Sequence, residues 1–245
     1  MPRTARKKSE YGYYHLITRG NGSQILFADR SDRIKYLNLI KENSREFLIQ
    51  INAFCLMDNH VHLLVHDENG NISAFMKKTN GRYVAYFNKK YVQNGHLFQD
   101  RYKSEPIETA AYLMTVLRYI LNNPRKAGIS TAEKYEWSSY NRYGKEGSIV
   151  NTDVFRDLIG NYDEYAAFIA APNSDECMEY NNSAKDDEWA LNIIRENLKI
   201  PGGTMLRTWP EAKRNEALRL LKKKGLTIRQ IERVTGINRG IIQKA

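Results

Sequence analysis

Met57-Asp58-Asn59-His60-Val61-His62-Leu63-Leu64-Val65 is the stretch whose reading decides how this chain folds. Asp58-Asn59 is a tight-turn pair between two apolar runs, Leu48 to Met57 and His60 to Val65, so the segment reads as a β-hairpin. Upstream, Tyr13-Tyr14-His15-Leu16-Ile17-Thr18 is rich in aromatic and branched residues and stops at Arg19-Gly20-Asn21-Gly22, a strand ended by a turn. Between them, from Ser31 to about Phe47, Ile34, Leu37, Leu39, Ile40 and Phe47 fit an amphipathic helix. Downstream, residues 72–91 read as a basic, aromatic helix and residues 107–123 as another, stopped by Pro124. Strand, helix, hairpin, helix, helix describes a compact α+β domain with an antiparallel sheet, closing near Gly147.

The 245 residues leave room for one sizeable domain and a small second one. Lys+Arg 38 against Asp+Glu 28 gives a net charge of +10, unevenly spread. Residues 205–245 carry eleven Lys or Arg against three acids. Residues 77–103 carry seven against one, interleaved with Tyr83, Tyr86, Phe87, Tyr91, Phe98 and Tyr102. Residues 161–190 reverse the sign, with eight acids and Lys185 alone. Two basic blocks divided by an acidic stretch predict two nucleic-acid-facing surfaces. The side chains expected on DNA are Arg19, Lys77, Lys78, Arg82, Arg101 and Lys103 in the first, and Arg229, Arg239 and Lys244 in the second. Cys55 and Cys177 have no CxxC spacing, which predicts a reduced intracellular protein. The basic start is followed by no apolar segment, and no run approaches the ~18 residues of a membrane span. A soluble, cytoplasmic protein with no membrane partner is the expectation.

Side chains alternate faces along a strand, so His60 and His62 point the same way, about 7 Å apart, with Val61, Leu63 and Val65 toward the core. On the helix before Pro124, Ile107, Ala110, Met114, Leu117 and Leu121 form one apolar stripe. Tyr119 lies away from the centre of that stripe, and Asn123 projects close to Tyr119. Tyr119 is therefore read as a nucleophile and not as core filler, with Tyr112 the competing candidate. Two neutral imidazoles and the Asn123 amide oxygen leave positions open for water and phosphate on a six-coordinate ion. That favours Mg²⁺ or Mn²⁺ over structural zinc. A Lewis acid beside a hydroxyl nucleophile is what cutting a phosphodiester through a covalent intermediate requires.

The last forty residues read as helices: Gly225 stops one, Thr227 caps Ile228 to Val234, Gly236 makes a turn, and Asn238 caps a final helix to Lys244. That is a helix-turn-helix pattern. The expected organisation is a catalytic domain at 1–150, a mixed helical and acidic connector at 151–204, and a helix-turn-helix at 205–245.

His60-Val61-His62 followed by Arg118-Tyr119-Ile120-Leu121-Asn122-Asn123-Pro124 resembles the single-tyrosine HUH transposases, and more particularly the REP-associated tyrosine transposases. Further matches run in order: Tyr14-His15-Leu16-Ile17-Thr18-Arg19-Gly20, Gly95-His96-Leu97-Phe98-Gln99-Asp100-Arg101-Tyr102-Lys103, and Trp137-Ser138-Ser139-Tyr140. Together they cover roughly residues 11–145. The resemblance implies a ferredoxin-like α+β catalytic domain and metal-dependent cleavage and transfer of single-stranded DNA near hairpins. It implies His60 and His62 as metal ligands, Asn123 as the third, and Tyr119 attacking to give a 5′-phosphotyrosine. It also implies a bacterial, nucleoid-associated protein, and leaves monomer and homodimer open. The C-terminal helix-turn-helix, found in only some members, could add duplex recognition or autoregulation. The competing readings are a DNA-binding regulator that keeps the fold but does not cut, and a nickase of the same chemistry. Phe98 departs from a common tryptophan, and Leu121-Asn122 from a commoner His-containing pair.

Overall fold

A computed structural model of the chain describes residues 6–178, 187–200 and 202–245. It contains the hairpin: β2 (Gln50–Leu56) and β3 (His60–His66) run antiparallel, closed by a bond from the Met57 amide to the His60 carbonyl at 2.9 Å. β3 also pairs with β1 (Tyr13–Arg19), and β1 with β4 (Lys103–Ile107), both antiparallel, so the sheet order is β2-β3-β1-β4. With α1 (Arg30–Glu46) after β1 and α2 (Ile72–Tyr91) after β3, this is the βαββαβ order of a ferredoxin-like α+β domain.

One face of the sheet buries Leu16, Phe54, Leu56, Leu63 and Val65 against Tyr36, Leu39 and Ile40 of α1 and Phe75 and Tyr83 of α2. Acids of α1 and the connection before it tie the two helices together: Glu46 to Lys78, Glu42 to Arg82, and Asp29 and Asp32 to Lys90.

The second face is buried as well. Ala53, Cys55, Leu64 and Ile107 pack under α3 (Ala110–Leu121), α5 (Asp153–Ile159) and α6 (Tyr162–Ala170), which contribute Leu113, Val116, Ile120, Phe155, Tyr165 and Ile169. Three readings change as a result. Ile107 ends a strand and does not begin a helix: Pro106 has no N–H to donate and suits an edge strand, and α3 starts where Thr109 Oγ1 accepts from the Tyr112 amide at 3.1 Å. Pro124 does not end the helical region either. It lies in the first turn of α4 (Asn123–Lys126), where a missing N–H costs nothing. Finally, α5 and α6 belong to the first core, so the chain divides into compact units at 1–180 and 181–245 and not at residues 150 and 204.

The second unit packs α7 (Asp187–Leu198), α8 (Glu211–Lys223), α9 (Ile228–Thr235) and α10 (Arg239–Lys244) around Ile194, Leu206, Leu218, Leu221, Ile231 and Ile242. The Gln230 amide donates to Thr227 Oγ1 at 3.2 Å, and the Gly240 amide to Asn238 Oδ1 at 2.8 Å. Gly236 closes α9 at φ 68°, a conformation that strains other L residues. The three residues between α9 and α10 complete the helix-turn-helix. Among the described residues no helix is long and apolar enough to cross a membrane.

Phe155 is fully buried. Phe155→Ala should cost about 3–5 kcal/mol in urea unfolding, the usual range for a truncated core phenylalanine. Wild-type stability in that variant would put α5 outside the first core.

Candidate active site

The register of the sheet assembles the site. Ile17 faces His62 and Arg19 faces His60 across β1 and β3, while His15 faces Glu105 and Ile17 faces Lys103 across β1 and β4. His15, His60, His62, Arg19, Lys103 and Glu105 therefore share the sheet face that α3 covers.

His60 and His62 meet edge to face with ring centres 5.0 Å apart. The Tyr119 ring stands edge-on to both His62, at 5.8 Å, and His15, at 6.0 Å. The proposed nucleophile and the two expected metal ligands are thus brought together. The burial of Tyr119, 3% exposed, departs from the sequence reading; His15 and His62 are buried beside it, and His60 is half-buried. The cause is the second helical layer, which makes this face of the sheet an interior. Tyr119 belongs to the apolar core after all, and its contacts with the imidazoles set it apart from ordinary filler. Tyr112, the competing tyrosine, lies beside Glu105 and Cys177. Burial first, then its hydrogen bond to Glu105, push its hydroxyl well above the ordinary tyrosine range.

Asn123 donates from Nδ2 to the Tyr119 carbonyl at 3.0 Å. This commits the amino half of the amide to the helix end and leaves Oδ1 as the atom suited to a cation. His60 Nδ1 lies 2.7 Å from Asn59 Oδ1; an amide oxygen only accepts, so His60 donates from Nδ1. His62 is held well below the ordinary histidine range by burial first, then by His15, His60 and Lys126. Neutral imidazoles are what a cation needs as ligands. Among the described residues no three His, Cys, Asp or Glu side chains gather to enclose a metal ion.

Around this centre, Lys126 Nζ sits 4.2 Å from the Tyr119 ring centre and donates to the Asp175 carbonyl at 2.8 Å. The Asp175 carboxylate takes two bonds from Arg118, at 2.6 and 2.9 Å. Burial, then the neighbouring Arg19 guanidinium, hold the Lys103 ammonium below the usual lysine value, so two cations share the His60 end of the sheet. Of the other residues expected on DNA, Lys77 and Arg101 line one groove of the first unit with Phe98 and Tyr102. Lys78 and Arg82 instead pair with acids of α1. In the second unit Arg229, Arg239 and Lys244 are exposed, Arg239 pairing with Glu232 at 2.8 Å.

Sequence reasoning did not assign a role to His15, Glu105 or Lys126. The available signal was the histidine count. The chain has only five, and three converge here, but which strand lies beside which is not written in any single segment.

The family described as "Transposase IS200 like" matches residues 8–123. No curated protein matches the chain. Among solved structures, a REP-associated tyrosine transposase bound to a REP hairpin shares the fold, with a TM-score of 0.53 and 15% identity, covering 74% of this chain and 100% of that one. A proposed transposase from Deinococcus radiodurans R1 overlaps at a TM-score of 0.36 with 18% identity, covering 49% of this chain and 97% of that one, too loose a likeness to compare folds.

Asp175→Ala should lower the unfolding free energy of the first unit by about 1–3 kcal/mol, the usual worth of charged hydrogen bonds at a partly buried site. An unchanged urea midpoint would mean that the Arg118 pair contributes nothing.

Proposed function

We propose that this chain, whose residues 8–123 match the family described as "Transposase IS200 like", cleaves and rejoins single-stranded DNA near hairpins with Tyr119 as nucleophile. The observation that carries this reading is the Tyr119 ring standing against His62, with His60 beside it. The Tyr119 oxygen attacks the scissile phosphorus and forms a phosphotyrosine bond. The bond from phosphorus to the 3′ oxygen breaks, the phenolic proton leaves, and the 3′ oxygen takes up a proton. A 5′-phosphotyrosine keeps the energy of the bond, so the 3′-hydroxyl of another strand can reverse the step and join a new end. A Mg²⁺ or Mn²⁺ held by His60, His62 and Asn123 would supply Lewis-acid polarisation of the phosphate. Arg19 and Lys103, at the His60 end of the sheet, bring positive charge that suits a DNA backbone beside the site. Lys77 and Arg101, with the aromatic groove they line, suit an unpaired strand, whose bases stack on rings while its phosphates meet cations. The exposed bases of α9 and α10 suit duplex DNA, with α10 as the recognition helix.

Incubating labelled hairpin DNA from the gene's own flanks with protein and Mn²⁺, then running a denaturing protein gel, tests the reading. A covalent band in wild type that vanishes in Tyr119→Phe is expected. A band that survives the substitution would move the nucleophile. Tight binding with no band from any hairpin would favour the non-cutting regulator.

A chain ending at residue 180 should keep the covalent band and lose most of its affinity for duplex DNA in a titration at fixed salt. Equal duplex affinity in the shortened chain would rule out the helix-turn-helix as the main duplex-binding unit.

A further inference from the structure

We propose that His15 and Glu105 are positioning residues that hold His62 in one tautomer, with its proton on Nδ1 and its Nε2 lone pair presented to the cation; this rests on the metal reading of His60 and His62 above. Three observations carry it. His15 Nε2 lies 2.9 Å from His62 Nδ1, the two rings stacked at 5.2 Å and 22°. Glu105 Oε2 lies 3.7 Å from the other His15 nitrogen, Nδ1, directly across β1 and β4. The pair is interior: both imidazoles are buried, and His15 Nδ1 has no hydrogen-bond partner within reach, only the Glu105 carboxylate beyond it.

The charge of Glu105 then favours one direction for the bond between the two imidazoles. The Glu105 carboxylate, 3.7 Å from His15 Nδ1, acts on that nitrogen by charge and favours the His15 proton there. A neutral imidazole has one such proton, which leaves His15 Nε2 an acceptor. In the proposed arrangement the bond at 2.9 Å is donated by His62 Nδ1. His62 then has no proton on Nε2, which is the form a metal ligand needs. Carboxylate, imidazole and liganding imidazole in series is an arrangement that raises ligand basicity and fixes ring orientation. Glu105 is itself held, accepting from the Met178 amide at 3.3 Å. A purely structural reading accounts poorly for the set. Two buried imidazoles and a carboxylate under a helix are less favourable than apolar residues of the same shape, unless the polarity has a use.

The test uses the full-length protein. Nitrogen-15 NMR of the metal-free protein reads the histidine tautomers directly, and calorimetric titration with Mn²⁺ reads affinity. In wild type the His62 proton is expected on Nδ1. In Glu105→Gln the side-chain amide can donate to His15 Nδ1, which reverses the series and puts the His62 proton on Nε2; Mn²⁺ affinity should fall roughly 10- to 100-fold, the usual effect of losing an outer partner of a metal ligand. His15→Phe should lose affinity to a similar degree, and Glu105→Asp should recover part of it. A wild-type His62 protonated on Nε2 would overturn the proposal. So would Mn²⁺ affinity within twofold of wild type in a folded Glu105→Gln. If wild type binds no Mn²⁺ at all, the metal reading of His60 and His62 falls, and the positioning role with it. Normal wild-type binding with unaffected variants sinks the positioning role alone.

Discussion

The alignment of β1 against β3, with Ile17 opposite His62 and Arg19 opposite His60, is the constraint on which the site depends. Side chains in an antiparallel sheet alternate faces with a period of two, so a slip of one residue in this pairing would send His15 to the opposite face of the sheet from His62. The hydrophobic pattern prevents the slip. Leu16 on β1 and Val61, Leu63 and Val65 on β3 must all reach the core under α1 and α2, and that requirement leaves His15, His60 and His62 together on the other side. β4 adds Glu105 to the same row because it pairs with β1 in a register that sets His15 opposite it. The polar site is thus a by-product of satisfying the apolar face, with no separate fold element devoted to it.

The second helical layer turns that row into chemistry. Imidazoles on an open sheet face would be hydrated and would titrate near neutrality. Under α3, with α5 and α6 completing the core, burial holds His15 and His62 below the ordinary histidine range. The same layer brings Tyr119 onto their edges and sets Lys126 over its ring. The Asp175 segment then joins Arg118 and Lys126, so that both helical cations next to the tyrosine have defined partners. An interior of this kind gives preorganised electrostatics, since groups held apart from water need little rearrangement as charge develops.

Much of this was legible in the sequence where the signal is local. The Asp58-Asn59 turn, the amphipathic α1, the basic α2 and the caps Thr227, Gly236 and Asn238 are all short-range features, and each lies where local stereochemistry predicts. What stayed hidden depends on long-range pairing. β4 carries no local signal of its own: its last residue, Ile107, extends the apolar period of α3 and reads as helix, and only the edge pairing with β1 makes Lys103–Ile107 extended. Tyr119 projected outside the apolar stripe because a helical wheel knows one covering surface, whereas α3 meets the sheet on one side and α6 on another. The acidic run at 161–190 suggested a connector, yet Tyr165 and Ile169 within it are core residues of the first unit. The expected ligands and nucleophile came from one strand and one helix end, each readable alone. His15 and Glu105 come from two further strands, and no spacing in the sequence relates them to His62.

The central claim is that His60 and His62, presented by β3 beside Tyr119, form one cation site. Anomalous scattering at the manganese edge from crystals soaked in Mn²⁺ tests it most directly. The account predicts a single strong peak at bonding distance from Nε2 of both His60 and His62, on the side of the Tyr119 helix. A peak bound elsewhere, or one that touches neither imidazole, would contradict it.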